Sequence, residues 1–149
     1  MISRWDIEEL KYLEKFKDLT DKYKKKLILI DKKPKYKYIN GKEIFDYFTI
    51  SLNRILTIND KVKIDSKYYQ QQDKEIEKVN IKLNEIASKL NIKVLNQADF
   101  ACDKKNNICE GITKQGYRIY FDKDHYTLEG AKYFGEKISD IGWLNLDKK

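Results

Sequence analysis

The chain has 149 residues, of which 41% are hydrophobic and 37% charged, with a formal net charge of +7. Eleven Tyr, six Phe and two Trp argue against a disordered polymer. One Pro and six Gly leave little room for linkers, so residues 1–149 are expected to form a single compact domain. No stretch approaches the roughly 20 apolar residues of a membrane span, and the start, Met1 to Asp6, lacks the apolar core of a signal peptide. The surplus positive charge raises the question of nucleic acid. All but three of the 31 basic residues are lysine, however, the exceptions being Arg4, Arg54 and Arg118, and they are spread among 24 acids. Arginine dominates where bases and phosphates are read in fork geometry, so a solvated lysine surface is expected and no nucleic-acid partner.

Ile2 to Trp5 reads as the end of a strand. From Asp6 a helical pattern begins, with Ile7, Leu10, Leu13, Phe16, Leu19 and Tyr23 at spacings of three and four. Lys24-Lys25-Lys26 closes it with charge that suits a helix C-terminus. Leu27 to Ile30 is a short apolar run ending at Asp31, as expected of a buried parallel strand, and Pro34 lies in the loop that follows. Glu43 to Leu56 is expected to be a helix with Ile44, Tyr47, Phe48, Leu52 and Ile55 inward. Tyr36, Tyr38, Tyr47, Tyr68 and Tyr69 read either as half-buried rings at the edge of the core or as a sugar-stacking surface, and core edges are the commoner place for such rings. Ser66 is expected to cap a long helix over 67–90, with Ile76, Val79, Leu83, Ile86 and Leu90 on its inner face. Ile92 to Leu95 is then another strand. Helix and strand in this alternation imply crossover units, a parallel sheet and helices on both of its faces.

Cys102 and Cys109 have six residues between them. With one histidine in the chain they make a poor zinc site. They are either independent thiols or a disulfide, and the spacing leaves both open. Tyr117 to Phe121 reads as a short strand. Thr127 can cap a last helix carrying Leu128, Ala131, Phe134 and Ile138 on one face. Between them lies Asp122-Lys123-Asp124-His125, with the only histidine of the chain. A neutral imidazole can move a proton near pH 7, and a carboxylate three residues away can fix its tautomer and stabilise the imidazolium. His125 and Asp122 are the candidate catalytic pair.

The stretch Tyr-Phe-Asp-Lys-Asp-His-Tyr-Thr-Leu-Glu-Gly-Ala, residues 120–131, resembles the last catalytic block of SGNH hydrolases. It is similar to the Asp-x-x-His-Leu-Ser-x-x-Gly-Ala form found in SGNH domains fused to acyltransferase family 3 membrane proteins, which O-acetylate cell-surface glycans. Tyr126 and Thr127 stand where Leu and Ser are usual, so a hydroxyl is kept at the helix cap. The opening is similar too, with Ser3-Arg4-Trp5 leading into a helix and then a strand and a proline-containing loop.

The resemblance implies an α/β three-layer sandwich with a parallel sheet, SGNH/flavodoxin-like, of which these residues are the C-terminal portion. It implies His125 as general base and Asp122 as the group that orients it. Arg4 and Trp5, at a strand end, are candidates for lining the pocket. The fused domains are extracytoplasmic and often carry a cysteine pair shortly before the Asp-x-x-His block, which implies a Cys102–Cys109 disulfide and a periplasmic setting. No metal and no organic cofactor are implied. The implied partners are a glycan or acyl-ester substrate and an attached or co-encoded membrane acyltransferase.

One part of the family pattern is missing. SGNH enzymes take their nucleophile from a Gly-Asp-Ser block, and no Gly-Asp-Ser occurs here. The serines are Ser3, Ser51, Ser66, Ser88 and Ser139, and none stands in a turn of that kind. Two functions are therefore expected. In one, the chain is part of a serine esterase or O-acetyltransferase whose nucleophile lies upstream. In the other, it is a non-catalytic, degenerate SGNH-like binding or interaction module.

Overall fold

A computed structural model describes residues 6–145 of the chain. The fold is α/β, with helices and a small parallel sheet. It divides into two units, one of Met1–Lys33 with Lys74–Gln97 and one of Pro34–Asp73 with Ala98–Lys149. Arg4 and Trp5, proposed above as pocket residues, lie outside the described residues, as does Ser3.

The first unit opens with a 3-10 turn, Glu9–Tyr12, that runs into α1, Leu13–Lys22. Asp6 and Glu9 start it reciprocally: the Asp6 carboxylate accepts the Glu9 N–H at 2.9 Å and Glu9 accepts the Asp6 N–H at 3.1 Å. Strand β1, Ile28–Ile30, pairs in parallel with β2, Lys93–Leu95, in the register Leu29 opposite Val94. Between them in sequence comes α4, Lys74–Lys89, and Asn91 in the left-handed conformation ends it. The Ile92 N–H then returns to the Ala87 carbonyl at 2.8 Å, which satisfies one of the orphan acceptors of the last turn.

The core of this unit is Leu10, Leu13, Leu29, Val79, Leu83, Ala87 and Ile92. Phe16, Leu19 and Tyr23, expected on the same inward stripe as Leu13, are exposed instead. Periodicity shows that one face of α1 is apolar but not how much of that face a neighbour covers. Beyond the strand ends, Asn80 ties the chain with two bonds to the backbone of Lys32, at 2.7 and 2.9 Å.

In the second unit, α2 spans only Ile44–Thr49 and α3 spans Ile58–Gln70. This corrects two expectations. The helix expected over 43–56 ends at Thr49, and a separate helix starts at Ile58, where Thr57 and Asp60 form a capping box. Ser66, expected to cap a helix over 67–90, lies inside α3, and that long helix is interrupted at Gln71–Asp73. There the segment Lys35–Lys37 captures the backbone: Lys37 N–H donates to the Gln71 carbonyl at 2.8 Å, and Asp73 N–H donates to the Lys35 carbonyl at 2.7 Å. Backbone groups spent on that pairing cannot continue a helix.

The remaining elements of this unit are short until α6. Helix α5 is Ala98–Ala101, and β3, Cys102–Asp103, pairs antiparallel with β4, Ile108–Cys109. A disulfide joins Cys102 to Cys109 across that pair. The core gathers Tyr36, Ile44, Ile64, Tyr68, Phe100, Ile112, Ile119, Tyr120 and Phe134. Of the five tyrosines in question, Tyr36 and Tyr68 are buried, Tyr69 is half-buried, and Tyr38 and Tyr47 stay exposed. Gly111 is required by contact, since a Cβ there would lie 2.0 Å from the Tyr68 ring.

Candidate functional site

The expected strand over 117–121 is not regular. Its residues form two isolated antiparallel bridges, Ile112 with Arg118 and Tyr120 with Tyr126. The Ile119 N–H donates to the Gly111 carbonyl at 2.8 Å, and the Phe121 N–H to the His125 carbonyl at 2.7 Å. The chain thus turns back on itself within residues 120–126, and a strand would need a partner alongside for longer than this hairpin allows. Residues 122–125 are its tip.

Helix α6, Leu128–Asp140, begins immediately after, capped by Thr127. The Thr127 hydroxyl accepts the Gly130 N–H at 2.9 Å and donates to the Arg118 carbonyl at 2.7 Å, while its own N–H donates to the Ile119 carbonyl at 2.9 Å. One residue therefore caps the helix and fastens it to the strand-like segment before the tip. Gly130 permits the fit, because a Cβ there would stand 2.2 Å from the Ile119 carbonyl oxygen. The inner face of α6 is Gly130 and Phe134 with Tyr133 and Ile138 beside them. Leu128 and Ala131, expected inward, face solvent. The close approach at Gly130 turns the helix so that its small residue meets the backbone.

At the tip, Asp122 Oδ1 accepts the N–H of Asp124 at 3.0 Å and of His125 at 2.8 Å. Its Oδ2 lies 2.8 Å from His125 Nδ1. The Asp124 N–H leads in holding the Asp122 carboxyl well below the usual carboxylate range, with the His125 backbone and ring adding to it. The pairing leaves Nε2 as the outward nitrogen, on a side chain that is 72% exposed. The partners of this imidazole among the described residues, Asp122 and Asp124, lie in its own turn. The tip is held in turn by the segment before it in the same unit. The Tyr36 N–H donates to the Lys123 carbonyl at 3.0 Å, Lys35 Nζ stands 3.3 Å from Asp124, and the buried hydroxyls of Tyr36 and Tyr120 meet at 3.1 Å. No local pattern marks this role of Lys35 and Tyr36, since 84 residues separate Tyr36 from Tyr120.

Asp122, Asp124 and His125 also offer three ligand atoms within 4.8 Å of one another. Exposed acidic groups at such spacing are common without an ion, and here the Asp122 oxygens already serve two backbone donors and the ring. The arrangement suits an imidazole held by a carboxylate for proton transfer. No helix among the described residues is long and apolar enough to cross a membrane.

Beside the tip lies an open cleft of about 410 Å³, lined by Tyr38, Gly41, Lys42, Glu43, Asp46, Thr49, Ile50 and Phe121. Glu43 forms its inner wall. Its carboxylate accepts the Tyr68 hydroxyl and the Phe45 N–H, and burial raises its pKa above the ordinary range.

The family model of the SGNH domain (fused to AT3 domains) matches residues 2–140. No curated protein and no solved structure matches the chain.

Proposed function

The chain belongs to the family of SGNH domains fused to AT3 domains, and from that membership we propose that residues 1–149 supply the imidazole-carboxylate pair of a serine esterase or O-acyltransferase acting on cell-surface glycans. The observation that carries this reading is the Asp122–His125 pair, 2.8 Å apart at Nδ1 with Nε2 turned outward. In this mechanism Nε2 takes the proton of a serine hydroxyl as that oxygen attacks an acyl ester. Asp122 holds the Nδ1 proton and stabilises the imidazolium that results. The alkoxide leaves with the proton from Nε2, and an acyl-serine remains. An acceptor hydroxyl, from a glycan or from water, then gives its proton to Nε2 as its oxygen attacks the acyl-serine. The serine oxygen leaves with that proton, so serine and neutral imidazole are regenerated.

The serine belongs to a Gly-Asp-Ser block, and residues 1–149 contain none. We read the parallel pair β1 and β2 as part of the three-layer sandwich of one SGNH-type domain spanning these residues. The Cys102–Cys109 disulfide supports an oxidising, extracytoplasmic setting. The absent Gly-Asp-Ser supports a second reading, a degenerate module that binds without catalysis.

Hydrolysis of p-nitrophenyl acetate separates the two. The 149-residue chain is expected to react no faster than its His125→Ala variant. The chain joined to a segment bearing Gly-Asp-Ser is expected to turn over, and His125→Ala should abolish that turnover. If the joined protein shows no dependence on His125, the catalytic reading fails. If the short chain shows saturable, His125-dependent turnover, its nucleophile is among its own residues.

A further inference from the structure

The cleft beside the tip is built by a rigid turn. Asn40 and Gly41 both have positive φ, 49° and 78°, and Ile39 and Lys42 exchange both backbone hydrogen bonds across them, at 2.9 and 3.0 Å. This is the two-residue hairpin turn that favours Asn-Gly. It fixes Tyr38 and Lys42 at one rim of the cleft, and α2 with its C-cap Ile50 places Asp46, Thr49 and Ile50 at another. Phe121, the residue before Asp122, closes the set.

Two of the lining side chains are aromatic rings left open to solvent, Tyr38 at 41% and Phe121 at 62%. A cation lies over each: Lys123 Nζ is 4.6 Å from the Tyr38 ring centre, and the Arg118 guanidinium is 5.5 Å from that of Phe121. Lys123 belongs to the tip, so the tip and the cleft share a wall. The Asp46 side chain is 47% exposed, with Arg118 3.4 Å away. It has oxygens to offer to hydroxyl donors.

Such a cleft combines open ring faces, an aliphatic side chain and a carboxylate acceptor. Its volume falls in the range of small-molecule sites, about 300–1,000 Å³. A pyranose ring presents the matching surfaces, an apolar face of C–H groups that lies on an aromatic ring and a rim of hydroxyls that donate to a carboxylate. We infer that the cleft between the Asn40–Gly41 turn, α2 and Phe121 binds a neutral sugar of the acceptor glycan, stacked on Tyr38 or Phe121 with a hydroxyl on Asp46. This rests on the acyl-transfer reading for the word acceptor only. Around the cleft Asp46 is paired with Arg118, and Glu43 stands against Lys42 and Lys123, so the charges nearly balance and no cluster of unpaired cations among the described residues is built to hold an anionic sugar.

The test is NMR titration of the 149-residue chain with cellotetraose, and with tetragalacturonate as the anionic counterpart. Cellotetraose should shift the resonances of Tyr38, Asp46 and Phe121. Tyr38→Ala and Phe121→Ala should each weaken binding about three- to tenfold, the size of one aromatic contact. Tyr47→Ala, an exposed ring outside the cleft, should leave binding unchanged. The inference is overturned if cellotetraose shifts none of the three residues at millimolar concentration, if the Tyr38 and Phe121 variants bind like the parent, or if tetragalacturonate binds more tightly. Binding is read here without turnover. A chain that binds the sugar but never reacts when joined to a Gly-Asp-Ser segment would keep this inference and lose the catalytic reading alone.

Discussion

Asp122 does two jobs with two oxygens. Oδ1 holds the turn through the N–H groups of Asp124 and His125, and Oδ2 holds the ring. Asp122→Asn preserves an oxygen for the backbone and exchanges the ring's acceptor for a donor, which favours the wrong tautomer of His125. In a buried serine-protease triad that exchange costs about 10⁴-fold in kcat. Here the expected loss in the joined, active domain is smaller, because His125 is exposed and water can accept the Nδ1 proton in place of the carboxylate. Asp122→Ala should cost more than Asp122→Asn, since it also frees the turn. Steady-state kcat for the two variants checks the order. Equal losses would mean that the backbone bonds contribute nothing to positioning the imidazole.

Thr127 and Gly130 carry α6 at the element scale. The threonine ties the first turn to the Arg118 and Ile119 carbonyls, and the glycine lets the helix lie on the Ile119 backbone. A Cβ at position 130 would meet a carbonyl oxygen at 2.2 Å, and backbone cannot swing aside as a long side chain can. Alanine is the better helix former by about 1 kcal/mol in open helices. The clash reverses that sign, and Gly130→Ala should destabilise the chain by about 1–3 kcal/mol in urea unfolding, the usual cost of overpacking. The same substitution at Gly135, where a Cβ would meet nothing within 4 Å, should stabilise slightly and serves as the control. A neutral or stabilising Gly130→Ala would show that α6 can lift from Ile119.

The whole molecule has buried carboxylates whose cost appears as pH dependence. Burial raises the Glu43 carboxyl, and burial likewise raises Asp65, which accepts the Gly111 N–H at 2.9 Å and pairs with Lys61 at 2.6 Å. A carboxyl with a folded pKa above its unfolded value adds stability that is full below the unfolded value, about 4.3 for Glu. That stability is lost as pH rises through the folded pKa. Glu43→Gln removes this titration while leaving an oxygen for the Tyr68 hydroxyl. The variant's Tm minus the parent's should therefore rise from pH 4 toward neutrality and then level, as about 4.3 marks the lower end of the window. Asp65 is present in both proteins and cancels in the difference. A difference that is flat with pH would mean that Glu43 is solvated in the folded state.

The sequence by itself determined what depends on near neighbours in the chain. Asp122, His125, Thr127 and Gly130 lie within nine residues, so their spacing specifies both the turn and the cap. The strands at Ile28–Ile30 and Lys93–Leu95 were legible as short apolar runs bounded by polar residues. What only the tertiary structure decided is long-range. The pairing of Lys35–Lys37 with Gln71–Asp73 broke the helix expected over 67–90, leaving its first residues at the end of α3 and the rest in α4, and no local pattern marks where a distant segment will take the backbone. The same holds for α1, whose apolar stripe is buried at Leu10 and Leu13 and bare at Leu19 and Tyr23. It holds again for the tyrosines. Tyr36 and Tyr38 are two residues apart, a spacing that on a regular strand puts both rings on one side, yet Tyr36 is buried in the core and Tyr38 lines the cleft. No local pattern separates the two rings, and the packing of Tyr68 of α3 and of Tyr120 against Tyr36 decides which one is inside.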